Sequence, residues 1–246
     1  MFSDSHLLSN ILLFLVTFGA GALALSFKMI DEKRMNLLLA FSGSFLLSIT
    51  FLHLVPETIE EKGHSAGLYI LIGFFLQLLI QRFTHGVEHG HSHVQGHDHK
   101  VPLFSILAGL ALHAFMEGLP LGFNYRMPNT DTALYMAVAA HKLPEVMLAA
   151  TIIKSVYHKS SKSVLLLLLF ALCTPTGSMI ASFFGTRYYA ISNIVSVLIP
   201  IVAGAFIHIA TTIFFESGTR QHMLTWQKIC VILAGVALGA ITLLNH

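Results

Sequence analysis

The strongest constraint on this chain is a series of eight apolar runs, each close to the length that crosses a lipid bilayer. The runs cover residues of about 6–27, 35–55, 67–83, 101–123, 132–156, 164–184, 191–215 and 226–244. A bilayer core needs about 20 apolar residues per helix. Only 11% of the residues are charged, well below the share usual in soluble domains. The pattern predicts an all-α polytopic protein, with residues 1–246 forming a single domain of eight transmembrane helices.

The basic residues support both the number of spans and an orientation. With eight spans, the loops on one side contain Lys28, Lys33, Arg34, Arg82, Lys100, Lys154, Lys159, Lys162, Arg220 and Lys228, and those on the other contain Lys62, Arg126 and Arg187. Cytoplasmic loops carry the excess of Lys and Arg, so we expect both termini outside the cytoplasm. We expect the protein to lie in the plasma membrane. The net charge of +2 gives no basic stripe that could bind nucleic acid.

One loop has a composition typical of metal handling. Six histidines fall within fifteen residues of the segment 84–100, between the third and fourth runs: His85, His89, His91, His93, His97 and His99. Their irregular spacing does not build one rigid site. We expect a cytoplasmic loop that binds metal weakly; a solvated polar linker is the alternative.

Two pairs of ionisable residues lie inside the fourth and fifth runs, where charges are costly and mark functional sites by default. His113 precedes Glu117 by four residues, and His141 precedes Glu145 by four, so each pair lies on one helix face. His113 and His141 each lie about 14–15 Å from the outer end of their runs. The four side chains are therefore predicted to converge near the bilayer midplane, in a metal site between the fourth and fifth helices.

Ligand chemistry limits the ion that such a site would hold. Two imidazoles with two carboxylates suit zinc, iron, manganese, cobalt or nickel better than magnesium or calcium. Other polar pairs suggest a path through the membrane. His53 and Glu57 are candidates for an outer entrance, and His208 and Glu216 for an inner exit. Ordinary solvation at helix ends is the alternative for both pairs.

At these residues the chain resembles the ZIP (Zrt-, Irt-like) family of metal transporters. That family has HNxxD or HNxxE in its fourth helix and HExPH or a variant in its fifth. Here the corresponding segments are His-Ala-Phe-Met-Glu-Gly at 113–118 and His-Lys-Leu-Pro-Glu at 141–145. The resemblance extends to His-Leu-Val-Pro-Glu at 53–57 and to Thr-Pro-Thr-Gly at 174–177.

The resemblance implies uptake of a divalent metal into the cytoplasm. Zinc is the first candidate, with iron, manganese or cadmium as alternatives. The metal is a transported substrate and not a cofactor. The resemblance further implies helical repeats, homodimers and a rocking or elevator-like motion of the metal-bearing helices.

The chain departs from the family at a second metal position. Many members bind a neighbouring ion through residues that correspond here to Ala114, Lys142 and Thr174. All three ligands are lost together, and the Lys142 ammonium would repel a second cation. It could also pair with Glu145 or with Glu117. We therefore predict a single-metal site that Lys142 modulates.

Two other functions compete with the transporter. A metal exporter of the cation diffusion facilitator kind usually has six spans and a cytoplasmic C-terminal domain, for which we expect no room after Asn245-His246. An intramembrane zinc hydrolase acting on lipid needs an open coordination position for water and a general acid or base. Four protein ligands leave no such position, so we do not expect an enzyme.

Overall fold

The computed structural model describes residues 4–27, 31–84, 103–122, 131–158, 160–216 and 225–245. Within these ranges the chain is almost entirely helical and contains no strand. The helices are α1 (Asp4–Ser26), α2 (Glu32–Ile49), α3 (Val55–Lys62), α4 (Ala66–Thr84), α5 (Leu103–Leu121), α6 (Asp131–Tyr157), α7 (Ser161–Arg187), α8 (Tyr189–Glu216) and α9 (Trp226–Ile241). The predicted all-α fold is confirmed.

Seven helical segments are long and apolar enough to cross a membrane, and one of them is long enough to cross twice. That segment, Lys33–Arg82, has 50 residues, which would make a straight helix of about 75 Å. It breaks at Gly63, whose combination of φ 57° and ψ −136° is readily adopted only by glycine. The break separates α2 and α3 from α4, so the described part of the chain contains eight long helical stretches. It is a multi-pass membrane protein.

The second stretch continues further than the predicted run, 35–55. A π-helical turn, Thr50–Leu54, connects α2 to α3, which continues to Lys62. Pro56 lacks the N–H that would donate to Leu52, and the wider turn before it accommodates this missing bond. The extra length was not predicted because α3 is rich in carboxylates, which end an apolar run without ending a helix.

The helices pack in two groups. The first group consists of α1, α5, α6 and α7, and the second of α2, α3, α4, α8 and α9. Glycine permits the closest crossings within each group, as small residues commonly do between membrane helices. A Cβ atom added at Gly118 of α5 would lie 2.0 Å from the Thr174 carbonyl oxygen of α7. One added at Gly204 of α8 would lie 1.9 Å from the Ile70 carbonyl oxygen of α4.

The outer surface is apolar and many polar side chains are buried, which is the distribution expected in lipid. Leu8, Leu23, Leu79 and Leu233 each expose more than half of their surface. By contrast, a fully buried set of charged and polar side chains lies within the first group. Soluble proteins rarely expose such large apolar areas. The site described next is thus enclosed by helices and not open to the lipid.

Candidate metal site

Helices α5 and α6 bring the two predicted His/Glu pairs together. One nitrogen or oxygen atom from each of His113, Glu117, His141 and Glu145 lies within 4.8 Å of the other three, and all four side chains are buried. Each pair forms because residues four apart share a helix face. Consecutive spans cross the membrane in opposite directions, so side chains equally far from the outer ends of α5 and α6 meet at one level.

The distances between the ligand atoms suit a small divalent ion. Nε2 of His113 lies 3.2 Å from Oε1 of Glu117 and 3.9 Å from Oε1 of Glu145, and Nε2 of His141 lies 3.5 Å from Oε1 of Glu117. Ligand atoms about 2.1 Å from a tetrahedral zinc ion lie about 3.4 Å from one another. The four atoms therefore need little movement to coordinate one ion.

The same atoms lack other partners. Within the described ranges, neither Nε2 atom nor Oε1 of Glu117 and Glu145 makes a hydrogen bond. A buried polar group without a hydrogen bond costs roughly 1–3 kcal/mol. A coordinated cation would satisfy all four atoms at once. These four donor atoms and their unsatisfied lone pairs thus suit the binding of a transition-metal ion.

Lys142 lies on the other side of the two carboxylates. Its side chain is fully buried, and its Nζ atom contacts Oε2 of Glu117 and Oε2 of Glu145. The ammonium also lies 5.7 Å from the centre of the Phe170 ring in α7. Each glutamate therefore turns one oxygen toward the histidines and the other toward the lysine. Sequence analysis left two alternatives for Lys142, and the structure has both contacts together.

The other two departures from the family pattern lie beside each other. The Thr174 hydroxyl of α7 donates to the Ala114 carbonyl oxygen of α5 at 2.9 Å. Both side chains are buried. The hydroxyl is therefore already used in joining two helices, and the Ala114 methyl group offers no ligand atom. Neither position contributes a carboxylate or an amide next to Lys142.

The proposed entrance and exit residues are not part of this cluster. Nε2 of His53, in the π-helical turn, lies 2.8 Å from the Thr242 hydroxyl, and Glu57 follows on α3. Nε2 of His208, in α8, lies 2.8 Å from the Gln81 side-chain oxygen of α4, and its ring packs edge-on against Phe74. These histidines join helices of the second group.

Several predicted metal-binding residues cannot be placed. Glu216 ends α8, and its side chain is outside the described part of the structure. The six loop histidines lie outside the described residues: His85, His89, His91, His93, His97 and His99. Sequence analysis in turn missed Thr242, Gln81 and Phe170 as contacts of ionisable side chains. For Thr242 and Gln81, the only signal in the sequence was a polar residue within an apolar run. No signal in the sequence marked Phe170.

Comparison with known proteins gives one family. The sequence profile of the family described as ZIP zinc transporter matches residues 3–103 and 87–243. The chain is 21% identical to zinc transporter zipt-7.1 of Caenorhabditis briggsae, over 77% of this chain and 64% of that protein. It is 28% identical to protein zntC of Dictyostelium discoideum, over 55% of this chain and 34% of that protein.

A third relative matches a shorter part. The chain is 30% identical to zinc transporter SLC39A7 of Mus musculus, over 25% of this chain and 17% of that protein. In each case the chain spans less than two thirds of the relative's length.

Proposed function

The chain belongs to the ZIP zinc transporter family, and from this we propose that it carries a divalent transition metal, zinc first, through one intramembrane site. The ligands of the ion are His113, Glu117, His141 and Glu145. The observation that supports this most is the convergence of four buried ligand atoms at zinc-compatible spacing. Iron, manganese and cadmium are alternative substrates because the same ligand types bind them.

A single ion fits the charge of the site. Two carboxylates and the Lys142 ammonium leave one net negative charge on the protein side, and a divalent ion would change this to one net positive charge. A second divalent ion would bring the total to three positive charges in a membrane interior, where uncompensated charge is costly. The ammonium also contacts the oxygens that a second ion would need.

The direction of transport and the route are proposed from the distribution of basic residues and from the family resemblance. The excess of basic residues in alternate loops supports both termini outside the cytoplasm, and the family resemblance supports inward transport across the plasma membrane. His53 and Glu57 would then meet the ion near the outer side, and His208 and Glu216 near the inner side. The loop histidines would bind the released metal weakly, and the transporter would act as a homodimer.

The relatives favour transport over the other functions considered. Those with a descriptive name are called zinc transporters, and the family is one of transporters and not of enzymes. An intramembrane hydrolase would also need a coordination position for water, and here four protein ligand atoms lie close enough together to supply all four positions of a four-coordinate ion. A cation-diffusion-type exporter belongs to a different family.

Metal flux into proteoliposomes tests the proposal. The purified protein should carry zinc inward, and His141→Ala should remove nearly all of this flux because one of four ligands is lost. His158→Ala is the matched control, since His158 is exposed at the end of α6. The same vesicles should be offered iron, manganese and cadmium. Absence of any metal-dependent flux, or flux indifferent to His141→Ala, would overturn the proposal.

The number of ions needs a separate measurement. We expect one tightly bound zinc per chain in protein whose six loop histidines have been replaced. Titration calorimetry with inductively coupled plasma mass spectrometry gives this number directly. Two tight ions remaining in that variant would contradict the single-site proposal while leaving transport itself intact.

A further inference from the structure

A second buried polar cluster lies in the first group of helices and contains none of the proposed metal ligands. It consists of His6 and Asn10 of α1, Tyr135 of α6 and Ser178 of α7, and is called the His6 cluster below. Nε2 of His6 lies 3.1 Å from the Ser178 hydroxyl, and the Asn10 amide donates to the Tyr135 hydroxyl at 2.9 Å. The Tyr135 and Ser178 hydroxyls lie 3.3 Å apart.

The His6 cluster contacts all four helices of the group. The His6 side chain also hydrogen-bonds the backbone of Leu121, at the end of α5. Ser178 lies in the close crossing of α5 and α7, where a Cβ atom added at Gly122 would be 2.2 Å from its carbonyl oxygen. Four polar side chains, each at most 9% exposed, thus join helices of the first group.

The cluster has a defined spatial relation to the metal site. Tyr135 precedes Lys142 by seven residues, so both lie on one face of α6, about 10.5 Å apart. Ser178 follows Phe170 by eight residues on α7, a rise of about 12 Å. Helices α6 and α7 therefore touch at two levels, through the two hydroxyls at one and through Lys142 and Phe170 at the other.

Directional bonds help to fix this alignment. Membrane helices have no hydrophobic driving force between them and associate through close packing and interhelical hydrogen bonds. In addition, Pro175 lies inside α7 between the two levels and removes the backbone bond to Ala171. The relative position of the two levels on α7 is thus not set by an unbroken helix alone.

We propose that the His6 cluster fixes α6 against α7 and thereby holds Lys142 over the carboxylates of Glu117 and Glu145. His6, Asn10, Tyr135 and Ser178 are then positioning residues of the metal site, acting through Lys142. This inference depends on the proposed function, since it assigns the cluster a role at the transport site. It is separate from the coordination itself, because no cluster residue is a ligand.

A double-mutant cycle between Tyr135→Phe and Lys142→Met tests the proposal. Tyr135→Phe deletes one hydroxyl and should fold. Its zinc affinity, measured by titration in protein without loop histidines, should rise by about 3–10-fold, because a displaced Lys142 competes less with the ion for the two carboxylates. The effect should be smaller than the 10–100-fold usual for groups that hydrogen-bond a ligand directly. In the Lys142→Met background the same deletion should change zinc affinity by less than about twofold, because the group it positions is absent.

Two further comparisons separate positioning from general stabilisation. Ser178→Ala should reproduce the effect of Tyr135→Phe. His6→Gln, which keeps a hydrogen-bonding group near the Nε2 position, should have a zinc affinity closer to the native value than His6→Leu. The matched control is Thr17→Val, since the buried Thr17 hydroxyl donates to Leu13 within α1. It should leave the affinity unchanged.

The outcomes distinguish the two proposals. If the native protein binds one zinc and Tyr135→Phe changes zinc affinity equally with or without Lys142, the His6 cluster does not act through Lys142 and the inference is wrong. The same holds if the variants lower only the melting temperature. If the native protein binds no zinc at the intramembrane site, the proposed function fails first.

Discussion

The cluster between α5 and α6 and the two histidines of the second group use the same residue type in opposite ways. In the cluster, Nε2 of His113 and Nε2 of His141 face carboxylates and make no hydrogen bond within the described ranges. Nε2 of His53 and Nε2 of His208 instead lie 2.8 Å from a neutral hydroxyl or amide oxygen.

This difference separates a site that needs an ion from contacts that are complete without one. A buried imidazole bonded to a hydroxyl or amide is satisfied, whereas imidazoles and carboxylates left without hydrogen bonds gain a partner when a cation binds. The lysine adds to the contrast, because it supplies a fixed positive charge in the cluster. Substituting side chains in the two regions should therefore have unequal effects on zinc binding, stability and flux.

The largest effect on zinc affinity is expected from Glu117→Gln. The Glu117 carboxylate lies near both histidines and contacts Lys142, so neutralising it removes a ligand charge while keeping the shape. Zinc affinity should fall by at least about 100-fold, since even partners that only orient a ligand are worth 10–100-fold. Titration of purified protein measures this. Glu60→Gln, at an exposed position of α3, is the control and should change nothing.

An equal loss of affinity in both variants would mean that the charge of Glu117 acts from a distance and not as a ligand. The metal site between α5 and α6 would then not differ from the histidines of the second group in coordinating an ion.

A separate effect, on stability and not on affinity, is expected from Lys142→Met. Without the ammonium, the carboxylates of Glu117 and Glu145 lose their buried counter-charge, and breaking a buried pair in this way typically costs about 3–5 kcal/mol. The metal-free variant should unfold at a lower temperature than the native protein. Added zinc should recover most of the loss, because the ion replaces the missing charge.

Thermal unfolding in detergent, with zinc or with a chelator, measures this difference. Lys162→Met, on the exposed start of α7, is the control and should behave as the native protein under both conditions. If zinc fails to stabilise Lys142→Met more than the native protein, the lysine is not a substitute for cation charge.

These cases also show what could be predicted from sequence. The apolar runs predicted the helices because about 20 apolar residues are needed per crossing, and the i,i+4 spacing predicted both His/Glu pairs because it depends on one helix alone. The contact of Lys142 with Glu145 was among the alternatives for the same reason. The simultaneous contact with Glu117 was not predicted, since it depends on how α5 and α6 pack.

The partners of the other histidines lie too far along the chain for such reasoning. Thr242 is 189 residues from His53, and Gln81 is 127 residues from His208. Neither pair has a periodic spacing, and the choice of partner is made by the packing of α9 on α2 and of α8 on α4. The same limit applies to the π-helical turn, which no apolar pattern marks.

The smallest effect is expected from His208→Leu, which removes the bond to Gln81. An interhelical hydrogen bond in a membrane averages about 0.6 kcal/mol, equivalent to roughly a threefold change. Maximal zinc flux should therefore fall by no more than about threefold, while zinc affinity at the site between α5 and α6 stays the same. His208→Gln, which can still bond across the helices, should recover the flux if the bond is all that matters. If His208→Gln instead lowers flux as severely as His141→Ala, the imidazole itself must bind the ion during transport. The second region would then share the chemistry of the first, and His208 would have to release Gln81 whenever an ion passes.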